Sequence, residues 1–453
     1  MPTLTILIIV LSAVLLLLYM VLKLKISAFI ALLLVSVFVG IATGMPLSSI
    51  TMSIQEGMAG TLGFVATVVG LGAIFGQMLE SSGGAESLAN YLLKKFGKER
   101  APWALAITGF IVAIPVFFDV GFIILVPIIY ALSRDTKRSL LYYAIPLLAG
   151  LAATHSFIPP TPGPVAVADI INAQLGWVIL LGFILGIPTT IIAGPIFGKY
   201  IAKKIHLEPP VSLDLPHQEL SSENQPPFRT IVIIIAIPLF LILLNTFTTV
   251  AVANKVVAQS IWTEIIEFIG HPFSALIIAT LVATYFLCIK RGMGKQKVLE
   301  LSTKALGPAG IIILITGAGG VLKQVLIDSG IGLSMAESMM HSPLPPIMLA
   351  WLIAAAVRVT QGSATVAMIT AASLIAPILG EIELSDPHRA LIVISIASGA
   401  TILSHVNDSG FWLVGKYLGM NEKQTLQSWT VMETIISLCG LAFTLIASLF
   451  FPH

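Results

Sequence analysis

Charged side chains are scarce: 24 Lys and Arg with 22 Asp and Glu make up 10% of the 453 residues, where a soluble domain carries about 25%. A water-soluble globule is excluded. The two signs nearly cancel, leaving a net charge of +2, a balance that does not suggest nucleic acid. Cysteine is almost lacking; Cys288 and Cys439 each lie alone in an apolar run and read as core or lipid-facing, without a disulfide framework or metal site. No His-Glu-x-x-His and no Gly-x-Ser-x-Gly around a plausible membrane serine is found, which argues against an intramembrane enzyme. A phosphate-binding Gly-x-x-x-x-Gly-Lys-Ser/Thr is missing too, so an ATP-driven pump would need a separate subunit. Nothing calls for a cofactor or a metal. The period-2 alternation of an outer-membrane barrel is also missing.

What abounds is apolar sequence, 57% of the chain. About 20 apolar residues span about 30 Å of hydrocarbon. The runs Leu4 to Leu22, Ile26 to Ile54, Gly57 to Leu79, Ser139 to Ala168 and Ile170 to Gly198 predict five spans, the first retained because no basic n-region precedes it. Thr230 to Ala253, His271 to Ile289, Ala305 to Leu322, Ala390 to Val406 and Thr434 to Phe451 predict five more. Basic loops face the cytoplasm. With the N-terminus outside, and with 101–132 and 343–380 as re-entrant helical hairpins, nearly all Lys and Arg fall on that one face. Lys255 and Arg389 fall on the other, and Lys323 and Arg358 within or beside apolar segments. A full crossing by 101–132 would place the basic clusters at 94–100 and 134–138 on opposite faces, against the rule. Both termini are therefore expected to be periplasmic.

The two halves echo each other. Gln77-Met-Leu-Glu-Ser-Ser-Gly83 recurs as Gln324-Val-Leu-Ile-Asp-Ser-Gly330. In each half there follow a short amphipathic stretch, a hairpin interrupted by polar residues and a long helix that breaks. Five is odd, so the second half is expected upside down relative to the first. The predicted fold is an all-α polytopic membrane protein of two inverted five-span repeats, each with a re-entrant helical hairpin and a broken transmembrane helix. The first repeat is 1–205, with its hairpin at 101–132 and broken helix at 139–175; a cytoplasmic linker follows at 206–228. The second is 229–453, with its hairpin at 343–380 and broken helix at 389–420. The expected breaks are Phe117 to Gly121, Thr154 to Pro164, Thr360 to Thr365 and Ser404 to Gly410.

Unwound backbone at membrane depth is tolerable only where protein or a watery cavity covers it. Each break starts a new half-helix whose free N–H groups and positive dipole end suit an anion. Paired interruptions of this kind point to a transporter site near the bilayer midplane. Gly121, Gly163, Gly362 and Gly410 allow close backbone approach, and Thr154, Thr161, Gln361, Ser363, Thr365, Asn407 and Ser409 offer groups that donate and accept, which suits a small hydroxylated acid. Asp119 and Asp408 are either helix caps or functional intramembrane carboxylates. His155 and His405 are either satisfied core histidines or carriers of a coupling proton. Arg358 either clamps the substrate carboxylate in bidentate fashion or is the permanent partner of Asp119 or Asp408. Lys323 reads as snorkelling to the surface, Glu80 and Asp169 as interfacial, and Trp103, Trp177, Trp262 and Trp429 as interface anchors. A continuous polar stripe through several spans, as a channel would keep, is missing.

At Phe117-Phe-Asp-Val-Gly121, His155-Ser-Phe-Ile-Pro-Pro-Thr-Pro-Gly-Pro164, Thr360-Gln-Gly-Ser-Ala-Thr365 and Ser404-His-Val-Asn-Asp-Ser-Gly410 the chain resembles the gluconate permease family, within the ion transporter superfamily of inverted-repeat carriers. The resemblance covers nearly the whole length. It implies proton-coupled symport of a small sugar acid such as gluconate, or of a related hydroxy or amino acid such as D-serine, across a bacterial inner membrane. It also implies a homodimer whose hairpins and broken helices move against a fixed scaffold. A sodium-coupled carboxylate symporter is the alternative, since unwound carbonyls suit Na⁺ as well.

Overall fold

A computed structural model describes residues 3–210, 225–331 and 344–451. Most of the expected linker and the amphipathic stretch expected after Gly330 lie outside the described residues. The described chain is helical. It opens with α1 (Thr3–Leu22), α2 (Ala28–Ala42), α3 (Leu47–Ser81) and the amphipathic α4 (Gly84–Phe96). Then come α5 (Ala101–Val112), α6 (Phe118–Thr136), α7 (Leu141–Phe157) and α8 (Pro162–Ile170). The long α9 (Leu175–Lys204) contains a π-turn at Ile192–Ile196. The second half runs α10 (Phe228–Ala253), α11 (Ile261–Gly270), α12 (Pro272–Arg291), α13 (Lys295–Asp328), α14 (Pro346–Gln361), α15 (Ala364–Gly380), α16 (Asp386–Gly399), α17 (Ser409–Leu418) and α18 (Glu422–Ser448).

Seven helical stretches among the described residues are long and apolar enough to cross a membrane: α3, α7 with α8, α9, α10, α12, α13 and α18. The chain is a multi-pass membrane protein. Of the three remaining expected spans, α1 has 20 residues, while α2 and α16 are shorter, with 15 and 14. The boundary between the second and third spans also lies elsewhere than expected. The turn falls at 43–46, where Gly44 takes a φ of +78° ahead of Pro46. Gln55 and Glu56, which mark the gap in the hydropathy, are exposed on continuous α3.

α3 and α13 form the central antiparallel pair. Ser53 Oγ donates to Asp328 Oδ2 at 2.6 Å near one end, and Glu80 and Lys304 share a pocket near the other. Their backbones nearly touch: a Cβ on Gly57 would lie 2.6 Å from Gly320 O, and one on Gly320 would lie 2.6 Å from Gly57 O. Small residues at membrane helix crossings permit such packing, because lipid tails supply no hydrophobic drive between helices. At 35 residues and 1.5 Å per residue, α3 is about 50 Å long, more than the hydrocarbon thickness of about 30 Å. It tilts or projects into water.

The crossings of α5 with α7 and of α14 with α16 follow the same rule. A Cβ on Gly150 would sit 2.3 Å from Ala106 O, and one on Gly399 would sit 2.5 Å from Trp351 O.

Candidate functional site

Four helix ends mark the interruptions. α5 stops at Val112 and α6 starts at Phe118; α7 stops at Phe157 and α8 starts at Pro162; α14 stops at Gln361 and α15 starts at Ala364; α16 stops at Gly399 and α17 starts at Ser409. The first gap is the apolar Ala113 to Phe117, containing Pro115, not the expected polar run. A proline disfavours helical backbone at the residue before it, and the negative Asp119 belongs in a first helical turn. Phe117 occupies the N-cap position of α6 and Asp119 lies within its first turn, so Asp119 is not the cap.

Three of the four restarting helices open on one cavity of about 360 Å³, within the range of about 300–1,000 Å³ usual for small-molecule sites. α6 contributes Asp119 and Val120, α15 contributes Ala364 and Thr365 after its cap Ser363, and α17 contributes Ser409 and Gly410 after Asp408. The end of α7 adds Ala152, His155 and Ser156; α13 adds Pro308 and Ile312. Arg358, Thr401, Trp429 and Glu433 complete the polar wall. Thr161, before α8, instead lines a small neighbouring space with Pro115 and Phe117.

Asp408 is the hub. Its Oδ2 accepts from Arg358 Nη2 at 2.5 Å and from Ser404 Oγ at 2.5 Å, and its Oδ1 accepts from Gly410 N at 3.1 Å. Trp429 Nε1 donates to Ser404 Oγ at 2.6 Å, and Thr430 Oγ1 donates to Ser404 O. Asp408 is therefore both the N-cap of α17 and the ion-pair partner of Arg358. Such a buried pair holds its place only because further donors satisfy the carboxylate. Arg358 is 3% exposed, and its Nε and Nη1 have no hydrogen-bond partner among the described residues.

A second set of contacts ties the two C-terminal interruptions together. His405 Nε2 donates to Val359 O at 2.9 Å, and Asn407 Nδ2 donates to Val359 O at 3.0 Å and Thr360 O at 3.2 Å. Both side chains cap the orphan carbonyls at the end of α14. Gly362 follows at a φ of +82°, and a Cβ there would lie 2.2 Å from Asn407 O. Only glycine fits both the left-handed backbone and that approach.

The remaining expected site residues scatter more widely. His155 leans on Phe117, ring centroids 6.2 Å apart, and its Nδ1 is unpartnered among the described residues. Thr154 is fully buried with an unpartnered Oγ1, and Gln361 has both amide atoms buried and unpartnered. Neither lines the cavity. Thr161 Oγ1 donates to Ile158 O at 2.7 Å. Gly163 packs against Met368, whose Sδ would be 2.7 Å from an added Cβ. Ser363 Oγ accepts from Val366 N at 3.4 Å, capping α15.

Sequence reasoning missed Glu433 and misplaced Trp429. Trp429 is 3% exposed inside the site, not at an interface, because a π-turn at Leu426–Thr430 swings it inward. Glu433 is 4% exposed with an unpartnered Oε1. Its signal was a single carboxylate at the head of an apolar run, Thr434 to Phe451. Among the described residues no group of His, Cys, Asp and Glu is placed to hold a metal ion.

Apolar helices that break around a buried polar cavity, with an arginine holding N–H groups to spare, define a multi-pass membrane carrier. The chain belongs to the GntP family of permeases, whose model matches residues 4–450. It is 43% identical over 447 residues to the low-affinity gluconate transporter of Escherichia coli (strain K12), covering 99% of each chain. It is 42% identical to the gluconate permease of Bacillus subtilis (strain 168), covering 98% of this chain and 99% of that one. The L-idonate transporter of Escherichia coli is 39% identical, with 96% and 97% covered. Among solved structures, the fold is shared with the YdaH transporter of Alcanivorax borkumensis at a TM-score of 0.64 and 13% identity, covering 89% and 90%. It is also shared with MtrF of Neisseria gonorrhoeae at 0.61 and 16%, covering 88% and 84%.

Proposed function

We propose that this permease carries gluconate, or a closely related sugar acid, together with protons across the bacterial inner membrane. The observation that carries the reading is Arg358, buried in the cavity wall with two N–H groups free beside the N-termini of α15 and α17. A carboxylate seated there gains charge-assisted hydrogen bonds and faces positive dipole ends. Thr365, Ser409, Ser363 and Ser156 then offer hydroxyls to a polyol chain. Relatives named as gluconate permeases, about 40% identical over nearly full length, support the same substrate.

For the proton, Asp119, His155 and Glu433 are the titratable groups that line the cavity without an ion-pair partner among the described residues. Asp408 is engaged by Arg358, and His405 by the carbonyl of Val359. Asp119 is the group through which we route the proton. Two inverted repeats, 1–205 and 229–453, with 101–132 and 343–380 as re-entrant hairpins, fit the antiparallel α3 and α13 and the paired interruptions. The charge pattern supports periplasmic termini, and the family resemblance supports a homodimer.

The test is uptake of radiolabelled gluconate by proteoliposomes under an inward proton gradient without sodium. One proton carried with one monovalent anion is electroneutral, so a pH difference of about one unit should sustain about tenfold accumulation. Accumulation that appears only when a sodium gradient is imposed would replace the proton by Na⁺.

A further inference from the structure

Glu433 is a carboxyl group that none of the contacts described above uses. It lies on α18 just beyond the π-turn that carries Trp429 and Thr430, and it shares the cavity wall with Arg358 and Asp408. Of the charges acting on it, Arg358 attracts and Asp408 repels. The other titratable groups on the cavity wall are Asp119 on α6 and His155 on α7; α9, α16 and α17, also packed near α18, bring none to it. Oε1 of Glu433 and the Nε and Nη1 of Arg358 are all buried and all unpartnered among the described residues. An acid and a base thus stand in one pocket, each with bonding capacity unspent.

Buried polar groups are almost always satisfied, and one that is not calls for an explanation. Arg358 can satisfy its spare N–H groups in two ways. Either an ionised Glu433 turns to them, or the substrate carboxylate takes them. Both cannot be there at once without crowding three carboxylates, with Asp408, around one guanidinium in a low-dielectric pocket, where like charges repel strongly.

We propose that Glu433 is the proton-controlled competitor of the substrate for Arg358: ionised, it claims the guanidinium of the empty carrier; protonated, it releases it to the incoming carboxylate. The inference deepens the proposed function and rests on its reading of the cavity as a carboxylate site. One proton adds to a Glu433 oxygen when the anion docks and leaves when the anion departs, so substrate and proton travel as a pair. The coupling needs no large rearrangement at the site itself, only exchange of one anionic partner of Arg358 for another. Asp119, on α6, then serves as the passage by which that proton reaches the cavity from solution. Glu433 is in this account a positioning residue, acting on substrate through Arg358.

The test is gluconate affinity measured by calorimetry on the purified full chain as a function of pH, for wild type and Glu433→Gln. Where Glu433 is ionised in the empty carrier, wild-type affinity should fall by about tenfold per unit rise in pH, the dependence of one linked proton. Glu433→Gln, a fixed stand-in for the neutral acid, should flatten that profile. A Glu433→Gln profile parallel to wild type overturns the inference, as does a wild-type affinity indifferent to pH. A wild type that binds no gluconate at any pH overturns the proposed function, and this inference with it. Should Glu433→Gln fail to fold, the infrared difference spectrum of wild type on gluconate binding decides. A protonated carboxyl band that shifts with ¹³C-glutamate labelling is expected, and no such band contradicts the proposal.

Discussion

Asp119→Asn is expected to lose gradient-driven accumulation entirely while still exchanging internal for external gluconate. The substitution is isosteric and keeps a polar group in the first turn of α6, so the helix end and cavity shape survive. What it removes is the ability to pass a proton. Under a pH difference of about one unit, the internal-to-external ratio should drop from about tenfold to unity. Counterflow in proteoliposomes, which needs substrate binding and carrier reorientation but no net proton movement, separates this loss from simple misfolding. If Asp119→Asn accumulates gluconate like wild type, Asp119 contributes only to the electrostatics of a helix end.

Arg358→Met should be the most damaging single change to the fold of the site. It strands Asp408, a carboxylate 9% exposed, with only Ser404 and the backbone of Gly410 for company. Removing one partner of a buried ion pair commonly costs about 3–5 kcal/mol, enough to lower the melting temperature markedly and to cut the yield of folded protein. Replacing both partners, Arg358→Met with Asp408→Leu, should recover much of that stability, because no unpaired charge remains. Transport should not return, since the carboxylate anchor is gone. Arg358→Lys separates the two duties of the residue. Lysine keeps the charge for Asp408 but lacks the planar fork, so gluconate affinity should fall by about tenfold or more with a smaller loss of stability. Affinity unchanged in Arg358→Lys would remove the bidentate anchor from the account.

The interruptions at Thr154 to Pro164, Thr360 to Thr365 and Ser404 to Gly410 were legible because Gly, Pro and hydroxyl residues stand out in apolar sequence. The helices end and restart inside or within a few residues of those stretches. The first interruption lies a few residues from the expected place for the opposite reason: its unwound backbone, Ala113 to Phe117, is itself apolar. Asp119 and Gly121, which look like the break, belong to the turn that follows it. The division between α2 and α3 was displaced because Gln55 and Glu56 resemble a loop in hydropathy, yet on a helix of 35 residues they sit on an exposed face.

Side-chain roles were harder to read than backbone breaks. The expected repeat makes His155 and His405 look equivalent, but the first rests on Phe117 and the second caps α14. Symmetry of position does not enforce symmetry of partners. The pairing of Arg358 with Asp408 was one of the alternatives the residues allowed, while nothing local announced that Trp429 would reach Ser404. That contact depends on one extra residue in a helical turn, the π-turn at Leu426–Thr430, and π-turns often mark functional places. Glu433 escaped notice because a single carboxylate at the start of an apolar run looks like an interfacial residue until its neighbours are known.

The measurement that bears most directly on the account is a cryo-electron-microscopy structure of the full chain in saturating gluconate. The account predicts density in the cavity between α6, α15 and α17, with the carboxylate within hydrogen-bond reach of Arg358 Nε or Nη1 and the polyol chain against Thr365 and Ser409. Gluconate density that lies elsewhere, with Arg358 still touching only Asp408, would contradict it.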